Sequence, residues 1–80
     1  MKVTVLGFGI VKEIFGASKI ELEVPVAITT KGLNEILVKQ YPALHKLASF
    51  MIAVNNAYVE NEQLITSSDE IAIIPPVSGG

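Results

Sequence analysis

The chain closes on two glycines, Gly79-Gly80, behind Pro75-Pro76-Val77-Ser78. A terminal glycine leaves its α-carboxylate sterically bare, and a glycine pair adopts backbone angles denied to other residues. Such an end can thread a narrow channel and present a main-chain carboxylate to a reagent held there. Pro75 and Pro76 fix φ and carry no N–H, so they terminate a strand and direct the last residues away from the body. From Pro75 onward an extended chain reaches roughly 20 Å at about 3.3–3.6 Å per residue. Ordering those residues inside a partner costs about 1–2 kcal/mol each, so most of the docking affinity must come from elsewhere. The plain alternative for Gly79-Gly80 is a frayed chain end.

Other chemistries have weaker support. The chain contains no cysteine, which excludes disulfides, thiolate nucleophiles and cysteine-based metal sites. Sulfur handled by this chain could not ride on a side-chain thiol. His45 is the only histidine; beside Lys46 in a short helix it fits a solvated face better than catalysis, having no partner carboxylate or nucleophile. Gly7-Phe8-Gly9 begins like a dinucleotide fingerprint, but Lys12 stands where the third glycine belongs. Glu21 and Glu23 share one strand face and fit solvation. Lys12 and Lys46 could meet acidic groups on a partner or simply aid solubility. The six basic residues are all lysine, scattered along a chain of net charge −2. That balance argues against nucleic acid, whose phosphates demand clustered cations.

The elements that must position the tail follow from the apolar pattern. Eighty residues make one domain, and at this size only about 60% of the unfolded surface is buried. Half of the residues are hydrophobic and 18% charged, too apolar for disorder. No apolar run approaches the ~20 residues of a membrane span. Met1-Lys2-Val3 enters a strand-like pattern and not a signal peptide. With the absence of cysteine, this leads us to expect a cytoplasmic protein.

Lys2–Phe8 predicts a strand, with Gly7 marking a bulge or a close backbone approach. Gly9–Phe15 predicts a helical turn ended by Gly16. Lys19–Val24 alternates, with Ile20, Leu22 and Val24 on one face, as in a half-buried strand. Thr29 or Thr30 caps a helix carrying Leu33, Ile36 and Leu37, which Pro42 stops or kinks. Ala43–Ser49 predicts a second short helix, Met51–Val54 a strand, and Asn55-Asn56 a turn. Tyr58-Val59 continues extended, and Leu64 and Ile65 anchor a polar loop. Ser67–Glu70 turns into a last strand, Ile71–Ile74. One main helix on one face of a mixed sheet is an α+β layout. With the first and last strands side by side in its middle, it is the β-grasp arrangement of ubiquitin. Val3, Val5, Ile71 and Ile73 then face the core. Thr4, Leu6, Phe8, Ala72 and Ile74 face out, provided Gly7 does not reverse the parity. We expect a β-grasp domain over 1–76 and a flexible tail over 77–80.

The segment Asp69-Glu70-Ile71-Ala72-Ile73-Ile74-Pro75-Pro76-Val77-Ser78-Gly79-Gly80 resembles the C-terminus of the molybdopterin synthase small-subunit family. That family has an acidic turn, a short hydrophobic strand, Pro-Pro-Val, a small residue and Gly-Gly. Val5-Leu6-Gly7-Phe8, Val11-Lys12-Glu13-Ile14 and Ala53-Val54-Asn55 are similar as well, so the resemblance spans the chain. Its most specific part is Pro75-Pro76-Val77 ahead of Gly-Gly. One departure is aliphatic Ile73 and Ile74, where the family often carries aromatics.

The resemblance implies a sulfur carrier and not a free-standing enzyme. Gly80 would be adenylated by a ubiquitin-activating-type adenylyltransferase using ATP, then thiocarboxylated by a sulfur donor. Docked on a large catalytic subunit, it would give sulfur to cyclic pyranopterin monophosphate in molybdenum cofactor biosynthesis. The tail residues Pro75, Pro76, Val77, Ser78 and Gly79 would deliver Gly80, and Phe8, Ile74, Leu6 and Ala72 would meet the large subunit. No permanently bound cofactor or metal, nucleic acid or membrane partner is expected. The alternatives are a carrier for thiamine or tRNA thiolation, a ubiquitin-like protein modifier, and a passive binding module.

Overall fold

A computed structural model describes residues 1–47, 50–59 and 62–75. The elements are β1 (Lys2–Gly7), α1 (Ile10–Phe15), β2 (Lys19–Glu23), α2 (Thr30–Gln40), a 3-10 turn (Pro42–Lys46), β3 (Met51–Val54), β4 (Ala57–Tyr58) and β5 (Glu70–Ile74). They build one five-stranded sheet in the order β2-β1-β5-β3-β4. β1 and β5 run parallel at its centre, from Thr4 opposite Glu70 to Gly7 opposite Ile73. This is the β-grasp layout expected from the sequence.

The register follows from burial. In β1 and β5, alternate side chains are buried, and Val5, Ile71 and Ile73 are fully so. A slip by one residue would put this whole set on the solvent face. β2 pairs antiparallel to β1, and β3 antiparallel to β5. Asn55 and Asn56 close the β3–β4 hairpin with φ of 52° and 69°, the two-residue turn whose twist matches antiparallel strands. α2 starts where the Thr29 hydroxyl accepts from the Gly32 N–H, and its Leu33 and Leu37 pack into the core. It ends at Tyr41, whose φ of −126° and ψ of 76° leave the helical region ahead of Pro42, where the proline ring disfavours helical backbone.

Three expectations change. The second short helix, expected over Ala43–Ser49, is a 3-10 turn over Pro42–Lys46. Proline fits the first turn of a helix, where its missing N–H is no loss; Ala48 and Ser49 lie outside the described residues. Leu64 is no buried anchor: it is 63% exposed. The segment lies extended, with Leu64 bridged to Thr29 and the Ile65 N–H bonded to the Ile28 carbonyl. Successive side chains therefore point opposite ways, and only Ile65 enters the core. Finally, β1 ends at Gly7 and not at Phe8.

Gly7 marks a close approach, with no bulge, since the register runs unbroken through it. A Cβ there would lie 2.8 Å from the Phe15 ring and 3.2 Å from the Lys12 nitrogen. The ring of Phe15, which also packs on Tyr41 with centroids 4.9 Å apart, fills the space a side chain at position 7 would take. Across the sheet, Asn55 ties β3 to the turn before β5. Its amide nitrogen donates to Asp69 Oδ1, and its carbonyl oxygen accepts from the Glu70 N–H.

Gly7→Ala should cost about 1–3 kcal/mol by urea unfolding, and less in a Phe15→Leu background, because the two positions compete for one space. The Thr66 backbone N–H, then the Asn55 amide, hold Asp69 below the usual carboxylate value. Its stabilising contribution is therefore present at neutral pH and lost as pH falls below about 4, through the lowered folded-state value. The stability gap between wild type and Asp69→Asn should narrow between neutral pH and about pH 3, read from urea midpoints at each pH.

Candidate functional site

The tail leaves the domain from the centre of the sheet. β5 ends at Ile74, opposite Met51 of β3, and Pro75 is the last described residue. Its ring sits over Gly9, where an added Cβ would lie 3.2 Å from Pro75 Cγ. Gly9 has φ 54° and ψ −128°, a conformation favouring glycine, and it turns the chain from β1 into α1. Val11 and Phe15 pin α1 to the core, and its last turn closes with the Gly16 N–H on the Lys12 and Glu13 carbonyls. The tail root thus rests on a turn fixed at both ends. Pro76, Val77, Ser78, Gly79 and Gly80 lie outside the described residues.

Beside the root, the face of the sheet away from α2 is apolar. Pairing aligns Leu6 of β1, Ala72 of β5, Ala53 of β3 and Tyr58 of β4 in one row. Ile74 and Met51 form the next row toward the tail, with Phe8 following β1. Phe8, Met51 and Tyr58 are 49%, 50% and 58% exposed, while Leu6, Ala72 and Ile74 are half-buried. Leu6, Phe8, Ala53, Tyr58, Ala72 and Ile74, with Glu70 and Asn56, line a shallow depression of about 210 Å³. A contiguous apolar face of this kind marks an interaction site. The structure brings together the four partner-contact residues expected from the sequence, Phe8, Ile74, Leu6 and Ala72, beside Pro75.

Sequence reasoning missed Met51, Ala53, Asn56 and Tyr58 on this face. Their alternation was visible, but their membership depends on the β3–β5 register, which joins segments far apart in the chain. His45, Lys12 and Lys46 are exposed and outside this face. Among the described residues, no group of three histidines, cysteines or acids could hold a metal ion, and no helix is long and apolar enough to cross a membrane.

A model of the ThiS family matches residues 5–80. The molybdopterin synthase sulfur carrier subunit of Dictyostelium discoideum is 41% identical over 80 residues, covering 95% of this chain and 93% of its own. The Arabidopsis thaliana protein of that name is 33% identical over 81 residues, covering 100% and 84%. Among solved structures, a Pyrococcus furiosus protein assigned as molybdopterin converting factor, subunit 1, superposes with TM-score 0.86 at 26% identity, over 96% of this chain and 99% of its own. Small archaeal modifier protein 1 of Methanosarcina acetivorans gives TM-score 0.79 at 28% identity, over 99% and 96%. A chain from the complex of subunits 1 and 2 of the Helicobacter pylori 26695 molybdopterin-converting factor gives 0.70 at 27%, over the whole of both chains.

The two faces of the central strands should respond differently to truncation. Ile73→Ala, on the inner face, should cost about 2–5 kcal/mol. Phe8→Ala should cost well below the about 3–5 kcal/mol of a buried phenylalanine. Urea denaturation followed by circular dichroism checks both.

Proposed function

The chain belongs to the ThiS family, and from that membership we propose that it is the sulfur carrier subunit of molybdopterin synthase. The observation carrying this reading is a likeness that runs through Gly80 and includes relatives bearing that name, matched over most of their own length. The geometry supports it. The central strand β5 leads directly to Pro75, and an apolar face flanks the exit.

In this reading Gly80 carries the chemistry. An adenylyltransferase of the ubiquitin-activating type transfers AMP from ATP to the Gly80 carboxylate, releasing pyrophosphate and forming a mixed anhydride. A sulfur donor displaces AMP and leaves a thiocarboxylate. The sulfur then passes to cyclic pyranopterin monophosphate within a large subunit, in the cytoplasm. Glycine suits this role because its bare carbonyl admits attack and its backbone fits a narrow channel. Phe8, Ile74, Leu6 and Ala72 form the contact with a large subunit, a partner of the kind present in the two-subunit complex of the Helicobacter pylori relative. Residues 75–80 cross the interface; the body stays outside.

The likeness to small archaeal modifier protein 1 supports a second reading, in which Gly80 is joined to a lysine of another protein. The same experiment separates the two. The purified chain is incubated with an activating enzyme, ATP and a sulfur source, and its intact mass is measured. The expected result is a gain matching replacement of one oxygen by sulfur, lost on adding large subunit and pterin precursor. One residue added after Gly80 should abolish the gain and leave the unfolding transition unchanged. Persistence of the sulfur with that acceptor would move the chain to another sulfur pathway. No gain, with higher-mass conjugates that need Gly80, would favour the modifier reading.

A further inference from the structure

The outer sheet face changes chemistry along its length. One row beyond Leu6 and Ala72, Thr4 stands between Glu21 of β2 and Glu70 of β5. Both carboxylates are exposed, and they lie on one face about 10 Å apart, two strand spacings. Lys19 and Lys2 are one row away on either side, opposite Leu6 and Glu23. The ion pair found among the described residues uses the Met1 ammonium and Glu23, so Glu21 and Glu70 are not engaged there.

Solvation and edge protection account for Glu21, since charges on an edge strand block further pairing. Edge protection does not account for Glu70. It sits on β5, the third of five strands, where no edge needs protection. It also borders the apolar depression. Asn55 engages the Glu70 backbone N–H and carbonyl and not its carboxylate.

Resting on the sulfur-carrier reading above, we infer that the large-subunit surface covering this face carries a lysine or arginine set against Glu70 and Glu21. The spacing is fixed by the strands. Glu70 and Ile74 are four positions apart, as are Thr4 and Phe8, which is about 13 Å along the sheet. The partner therefore presents an apolar contact beside the tail entrance and a cation about 13 Å behind it. An apolar face alone tolerates sliding and rotation. Carboxylates on the side of the apolar face away from the tail set the orientation that aims Pro75 at the channel, since electrostatic complementarity governs register and encounter rate more than affinity.

The test uses the full chain and the large subunit encoded in the same genome, with association followed by stopped flow at low and high salt. For the wild type, association should slow as salt rises. Glu21→Lys/Glu70→Lys should associate about tenfold more slowly at low salt, with the salt dependence lost or reversed. Glu21→Gln/Glu70→Gln should fall between, with an unchanged unfolding midpoint confirming the fold. Reversing the charge of the facing lysine or arginine on the large subunit should restore the rate of the lysine variant. Equal rates and equal salt dependence for all three chains, with the wild type binding, would overturn this inference and leave the carrier reading intact. Failure of the wild type to bind the large subunit would overturn both.

Discussion

The parallel pairing of β1 with β5 is the contact on which the rest of the structure depends. It joins the first strand to the last, so its loop-closure entropy is among the largest the fold must overcome. What holds it is the inner row of Val3, Val5, Ile71 and Ile73 beneath α2. Once that row is buried, the alternation of a strand leaves no freedom for the other side chains. Leu6, Ala72 and Ile74 must face away from α2, and Pro75 must emerge beside the Gly9 turn. The outer face is thus a consequence of how the core is filled.

The same constraint explains Gly7. β1 ends against α1, and the first helix must come close enough for Phe15 to reach the core. One position therefore gives up its side chain, and the Phe15 ring occupies the space. The Asn55 clamp does corresponding work at the other end of β5. Its two side-chain hydrogen bonds, to Asp69 and to the Glu70 N–H, set where the last strand starts. The register of the central pair is thus fixed at one end by aromatic packing and at the other by an amide.

Local features were legible in the sequence and distant ones less so. A threonine cap at Thr29 or Thr30, the break at Pro42, the Asn55-Asn56 turn and the inner faces of β1 and β5 could be read directly, because each rests on one residue type or on strict alternation. Gly7 could be narrowed to a bulge or a close approach and no further; the neighbouring Phe15 decides which, and its position is tertiary. Leu64 was misjudged because two adjacent apolar residues look alike in sequence, while an extended segment buries only one. Met51 and Tyr58 joined the outer face through strand pairings that no local pattern reports. The tail chemistry came from resemblance, since a Gly-Gly end by itself is compatible with fraying.

A carrier loaded by one partner and emptied by another needs a particular balance of forces. In the proposed reading its loaded and spent forms differ by one atom at Gly80, six positions beyond the last residue of β5, so the sheet face is the same in both. Whatever affinity that face supplies is shared by substrate and product, and a very tight face would retain the spent chain. Ordering the six residues from Pro75 to Gly80 costs roughly 6–12 kcal/mol at about 1–2 kcal/mol each, which the face and the channel together must offset. Apolar contact supplies affinity, whereas a charged border chiefly speeds correct encounters. A modest apolar patch with two carboxylates at its far end therefore suits repeated exchange better than a wider hydrophobic face would. Discrimination between loaded and spent forms then falls to the channel that receives Gly80, the one place where the two forms differ.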